Sequence, residues 1–322
     1  MPVPLLEVDT LEITTLVDNQ IDALLPGEEQ IRRRPWGPAV HNPFIDAPAV
    51  RGTLHAEHGF SALVRFARGE ERHTLLFDMG VSPDGMIENM DRLQVDPCEI
   101  EAVALSHGHM DHTGGIAGLV ERLGRASMPF VLHPAAYTQR RGNPPGGSLM
   151  PLPPPSRSAL EGAGFELIEA RDPSMLFADS LLVTGEVART TPYEQGFPFF
   201  EREIDGRWEA EPHLLDDQAL VANVRGKGLV VLTGCGHSGI VNIVRHAQAL
   251  TGVQRIHAIV GGFHMSGPYF EPIIAPTVEA LRAFAPKVIV PGHCTGYKPQ
   301  MAIAQAMPEA YVHNAVGTTY VF

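Results

Sequence analysis

A chain of 322 residues that is 44% hydrophobic can bury a large core, and one elaborated domain is expected rather than two small ones. The formal net charge of −13 argues against a sequence-independent nucleic-acid binder, because phosphate contact relies on clustered Lys and Arg. No window approaches the roughly 20 apolar residues of a membrane span, and Met1-Pro2-Val3-Pro4 lacks the basic and apolar stretches of a signal peptide, so no membrane contact and a cytoplasmic location are expected. Cys98, Cys235 and Cys294 are too scattered for a disulfide framework, which suits a reducing compartment.

From the N-terminus, residues 11–17, 61–66 and 73–77 read as strands, the last ending in Asp78, and 84–93 reads as a helix. The dense basic run Arg32-Arg33-Arg34 reads as a solvated face beside a Pro-rich turn. After the apolar stretch 102–105 come a helix at 116–123 and strands at 130–133, 165–169, 180–184, 219–224 and 229–233. The last third alternates: helix 240–250, strand 256–260, helix 277–284, strand 288–290. This order predicts an α/β protein of mixed sheets flanked by helices.

Two segments interrupt that pattern. Residues 142–155 are so rich in Gly and Pro that a long surface loop is expected. Residues 190–208 interleave Tyr193, Phe197, Phe199, Phe200 and Trp208 with polar residues, which fits either a lid or substrate wall or local packing under a loop. The span 142–215 is therefore expected to be a loop or lid insertion in a single domain covering 1–322.

The chemistry concentrates in His107-x-His109-x-Asp111-His112, directly after the apolar stretch. In extended backbone, residues i and i+2 point to one side, so His107 and His109 can face one ion together. Asp111 and His112 lie where the chain must turn and can reach a second ion. Gly108 permits close backbone approach, and Gly114-Gly115 frees the chain to turn. Three later strand ends repeat one layout, apolar run, Gly, then His: Cys235 and His237 after 229–232, His264 after 256–260, and His293 after 288–290. Metal ligands gather at the ends of neighbouring strands, so a shared site is expected.

The tetrad resembles the hallmark of the metallo-β-lactamase superfamily, H-x-H-x-D-H after a strand. Glu57-His58-Gly59-Phe60-Ser61, Leu76-Phe77-Asp78-Met79-Gly80, Thr233 to Ile240, Gly261-Gly262-Phe263-His264 and His293-Cys294-Thr295-Gly296 resemble its branch of dihydropteridine ribofuranosylaminobenzene 5'-phosphate synthase-like metallohydrolases. The resemblance runs from about Leu16 to the C-terminus. It implies an αββα sandwich of two mixed β-sheets flanked by helices, with two divalent metal ions, zinc first and iron or manganese as alternatives. His107 and His109 would bind one ion with a third histidine, and Asp111, His112 and His293 the other. A bridging carboxylate commonly stands where this chain has Gly234-Cys235. Either the Cys235 thiolate bridges, or His237 completes a site; His237 ranks first because imidazole suits zinc, iron and manganese. His237 or His264 would supply the third histidine, since His133 and His213 lack the layout and Glu186 is a weaker substitute. Asp78 would orient a ligand imidazole through a hydrogen bond. Asp217, in Asp216-Asp217-Gln218, can contact substrate or a ligand histidine, or simply serve a turn. Cys294, beside His293, is either a reactive thiol or a small packing residue.

The implied reaction is metal-assisted hydrolysis, with Asp111 orienting the attacking water and His264, if it is no ligand, protonating the leaving group. The expected substrate is a small, anionic molecule, a phosphoester or phosphorylated pterin-like compound. The alternatives are a lactonase or thioesterase on the same centre, a methanopterin-type synthase, a di-iron redox protein, and a non-catalytic metal-stabilised ligand binder. A dimer is the default oligomeric expectation.

Overall fold

The computed structural model describes residues 2–47 and 49–322. Two large mixed sheets face each other. One runs, in spatial order, Glu166–Glu169, Pro129–Leu132, Ala102–Ala104, Glu71–Phe77, Ser61–Arg68, Thr10–Val17, Thr318–Val321 and Ile31–Arg33. The other runs Ser174–Leu176, Leu181–Val183, Ala219–Val224, Gly228–Thr233, Ile256–Gly262 and Val288–Gly292, with Glu7–Val8 added parallel to Ala219–Val224.

The period-two alternation of strand side chains assigns the layers. Leu75, Phe77, Val230, Leu232, Ala258 and Val260 meet between the sheets with Ile13, Val64 and Leu220. Leu76, Val103 and Phe130 point outward, against Met86 and Met90 of the helix Gly85–Leu93 and Leu119 of the helix Ile116–Leu123. On the far side Val231, Ile259 and Ile289 pack under Val244 of Ile240–Thr251, Leu281 of Glu271–Phe284 and Ile303 of Tyr297–Ala306. Each fully buried Leu, Ile or Val contributes roughly 1.5–3 kcal/mol relative to exposure. The result is the αββα sandwich that the resemblance implied.

Parallel neighbours bring the chemical residues to one edge. Phe77 pairs with Ala104 in parallel register, so Asp78 and Ser106-His107 leave the first sheet side by side. Thr233 pairs with Gly261 and Gly262 with Gly292, so Cys235, His264 and His293 leave the second sheet at the same end. Ligand sites form outside the carboxyl ends of such strands.

The span 142–215 contains regular structure of its own. Arg140–Gly142, Met150–Leu152, Phe200–Ile204 and Arg207–Ala210 form a separate four-stranded sheet, with the Arg141 guanidinium 4.1 Å over the Trp208 ring. Between them the chain returns to the main fold as the helix Arg157–Ala163 and three strands of the large sheets. The helix read at 277–284 begins at Glu271: Pro272 sits in the first turn, where its missing N–H costs nothing, and Pro276 is tolerated inside. The helix Tyr297–Ala306 and the strand Thr318–Val321 add to the expected elements.

Candidate metal centre

The tetrad loop is held tightly by backbone. His109 has extended geometry and starts the short helix Met110–Thr113. A Cβ on Gly108 would sit 2.1 Å from the Ala136 carbonyl oxygen, and one on Gly114 would sit 1.8 Å from that of Val81. Gly114 and Gly115 both have ordinary right-handed backbone, so close packing, not the expected sharp turn, excludes side chains there. Gly108 N–H donates to Asp216 Oδ2 at 2.8 Å, and Phe60 N–H donates to the Asp111 carbonyl at 3.1 Å.

Side chains gather in three overlapping groups, each with ligand atoms within 4.8 Å of one another: His107, His109 and His237; Asp111, His112, Cys235 and His293; Cys235, His237 and His264. His107 Nε2 and His237 Nε2 are 3.2 Å apart, and Asp111 Oδ2 lies 3.3 Å from His293 Nε2 and 3.7 Å from His112 Nε2. The two groups differ electrically. Burial pushes His107 and His237 well below the usual imidazole range and His109 down to about 4, so all three are neutral. Burial also opposes charge on Asp111, but His112 and His293 outweigh it and keep the carboxylate ionised far below its usual range. His293 is the reverse case: burial lowers it, yet Cys294 and Asp111 raise it to about 9.

Supporting contacts orient these groups. Asp78 Oδ2 accepts from His112 Nδ1 and from Ser106 Oγ, both at 2.7 Å, and Ser106 Oγ also lies 2.9 Å from His107 Nδ1. Asp217 Oδ2 accepts Ser238 N–H at 2.7 Å, steadying the turn that carries His237. Burial raises Asp217 to about 6. Its neighbour Asp216 anchors Gly108 and is paired with buried Arg140, which also binds Glu211. Cys235 Sγ donates to Cys294 Sγ at 3.0 Å and lies 3.7 Å from His264 Nδ1. Burial pushes the Cys235 thiol up, whereas the bond from Cys235 and the charge of His293 override burial and lower Cys294. His133 and Glu186 pair with each other at 3.0 Å instead of joining the groups.

Sequence reasoning missed Arg140 and Glu211, whose pairing partners are distant in the chain, and His58. The exposed His58 ring lies 5.0 Å from that of His293, its Nε2 3.8 Å from Asp111 Oδ2. A cavity of about 180 Å³ opens beside His237 and His264, lined by Tyr193, Gln195, Phe263, Tyr269 and Phe270. Phe200 of the small sheet stands edge-on to His109 and His237, with centroids 5.4 and 5.7 Å away.

The donor set fits divalent metal ions. Nε2 of His109, His112 and His293 is buried without a hydrogen-bond partner. At 3.3 Å, the His293–Asp111 contact is an ion pair outside hydrogen-bond geometry. Each unpartnered buried nitrogen costs roughly 1–3 kcal/mol, which coordination would offset.

Fold and donor set together are those of a metallo-β-lactamase-fold protein with a candidate metal centre, and the chain belongs to the metallo-beta-lactamase superfamily, whose family model matches residues 56–293. It is 28% identical over 272 residues to the 7,8-dihydropterin-6-methyl-4-(beta-D-ribofuranosyl)-aminobenzene-5'-phosphate synthase of Methanocaldococcus jannaschii, covering 83% of this chain and 90% of that protein. An uncharacterized protein of the same organism is 29% identical over 259 residues, covering 80% of this chain and 91% of its own. The solved structure of Tm1679, described as a metal-dependent hydrolase of the beta-lactamase superfamily, shares the fold with a TM-score of 0.70 at 23% identity, covering 96% and 98% of the two chains. Among the described residues, no helix is long and apolar enough to cross a membrane.

Proposed function

We propose that this chain hydrolyses a small phosphoester at a dinuclear centre. One ion would be held by His107, His109 and His237 and the other by Asp111, His112 and His293, with Cys235 adjoining both sets as a further candidate ligand. The observation that carries this reading is the overlap of the groups: Cys235 belongs with the second set and, through His237, adjoins the first. Zinc suits this mixture of imidazole, carboxylate and thiol best, with iron or manganese as alternatives. Ions so placed supply Lewis acidity and make water acidic enough to attack at neutral pH.

The chain's own residues divide the remaining work. Asp111, ionised throughout the physiological range, accepts a hydrogen bond from the attacking water and sets its direction. His264 stands at the cavity wall, 5.1 Å from Phe270 between ring centroids, where a leaving group would depart, and serves as its proton donor. No Lys or Arg lines the cavity, so an anionic substrate would be held by the ions rather than by side chains. Tyr269 and Phe270 supply flat apolar surface for a ring such as a pterin, the moiety in the name of the archaeal relative. Hydrolysis is preferred over synthesis because ions so placed would supply an activated water as the nucleophile.

The test is a panel of phosphomonoesters, phosphodiesters and lactones turned over by metal-reconstituted protein, with His109→Ala as control. Turnover of a phosphoester that His109→Ala abolishes is expected. Turnover confined to lactones would replace the substrate class, and equal turnover by the variant would remove the enzyme reading.

A further inference from the structure

The two later ligands of the proposed second ion are oriented by different means. The His112 ring is gripped by Asp78. The His293 ring has no hydrogen bond at either nitrogen and meets only ring contacts and the Asp111 ion pair, so its backbone carries more of its orientation than that of His112 does. That backbone is unusual, with φ of 46°, a conformation that residues bearing a side chain rarely adopt.

Two residues from the other end of the chain hold it there. His293 N–H donates to Asp18 Oδ1 at 2.9 Å, and the His293 carbonyl accepts from Asn19 Nδ2 at 3.0 Å, so both main-chain polar groups of His293 are satisfied at once. Asp18 is buried just past the strand Thr10–Val17. Its Oδ1 also accepts Asn19 N–H, and its Oδ2 accepts from Asn314 Nδ2. Asn314 Oδ1 in turn accepts from Tyr320 Oη at 2.7 Å and Thr15 Oγ1 at 2.9 Å. Gly292 makes room, since a Cβ there would sit 2.4 Å from Asp18 Oδ2.

We propose that Asp18 is a positioning residue for the second metal ion, clamping the His293 main chain so that its imidazole faces Asp111 and His112. This role rests on the dinuclear reading above. It also carries a chemical signature. Asp18→Asn keeps an oxygen for the two backbone N–H groups but turns an amide donor toward the Asn314 donor. Adding Asn314→Asp turns that opposition back into a donor–acceptor pair, while residue 314 still accepts from Thr15 and Tyr320.

The experiment compares metal-free wild type, Asp18→Asn, Asn19→Ala and the double variant Asp18→Asn/Asn314→Asp. Each is titrated with cobalt(II) and read by ions bound per chain at equilibrium dialysis and by the visible spectrum, with circular dichroism to verify folding. Wild type should bind two ions. Asp18→Asn should keep the first and weaken the second by about 10- to 100-fold, the range typical for loss of an outer ligand partner. The double variant should recover to within about threefold of wild type. Asn19→Ala, which trims an exposed side chain, should weaken only the second ion, by roughly threefold. A folded Asp18→Asn that binds both ions like wild type, or a folded double variant as weak as Asp18→Asn, overturns the role. If Asp18→Asn does not fold, unchanged second-ion affinity in Asn19→Ala overturns it instead. A wild type binding fewer than two ions overturns the dinuclear reading itself, which separates the two failures.

Discussion

The two groups of the candidate metal centre are built to opposite electrical designs. His107, His109 and His237 are three buried imidazoles that burial keeps neutral, whereas Asp111, His112 and His293 combine an ionised carboxylate with an imidazole raised to about 9. The first group is ready to coordinate as it stands. The second must expel a proton from His293 before that ring can bind, and its ion-free form is an internal salt bridge. Burial lowers all four of these imidazoles, and at His293 alone the neighbouring Cys294 and Asp111 outweigh it.

The largest effect expected from breaking this comparison comes from the first group. His109→Ala should lower turnover by roughly a thousandfold or more, a loss of about 4 kcal/mol of barrier reduction, measured as kcat/KM on whichever phosphoester the panel identifies. Acidity should then separate the groups. Because protonation of His293 competes with its ion, affinity for the second ion should rise by up to about tenfold per pH unit until about pH 9. The first, held by imidazoles that are already neutral, should rise less steeply over about pH 6 to 9, as read by calorimetric titration. Equal pH slopes at both sites would erase the distinction.

Asp78→Asn should come next. It preserves shape but weakens the grip on His112 Nδ1, and second-ion affinity should fall by roughly 10- to 100-fold with the first ion spared. A smaller effect concerns stability. In the ion-free protein His109 has a pKa of about 4 against an unfolded value of 6.5, so between those values only the unfolded chain takes up the proton. Stability should accordingly fall as pH drops through that window, by on the order of 3 kcal/mol from this residue, seen as a lower Tm at about pH 4.5 than at about pH 7. A Tm that rises on acidification would contradict the neutral assignment.

What the sequence made legible follows from locality. The tetrad occupies six consecutive positions, and Cys235, His237, His264 and His293 follow apolar runs with nearby glycines, so their convergence could be read without coordinates. The sandwich was legible for the same reason: strands covered on both faces, such as Gly228–Thr233, leave continuous apolar runs in the sequence. Asp18 leaves no such trace, because a lone carboxylate after a strand looks like any turn residue and its partner lies 275 positions away. Arg140 hides likewise, reading as surface charge until Asp216 and Glu211 enclose it. The small sheet was obscured by Gly and Pro around Met150–Leu152, which form an edge strand where a loop was expected.

The central claim is that two ions sit in two differently charged pockets joined at Cys235. Anomalous diffraction at the metal absorption edge, on crystals of zinc-loaded protein, tests it most directly. Two peaks are predicted, one among His107, His109 and His237 and one among Asp111, His112 and His293, with Cys235 Sγ adjoining both. A single peak enclosed by Cys235, His237 and His264, or none at all, would contradict it.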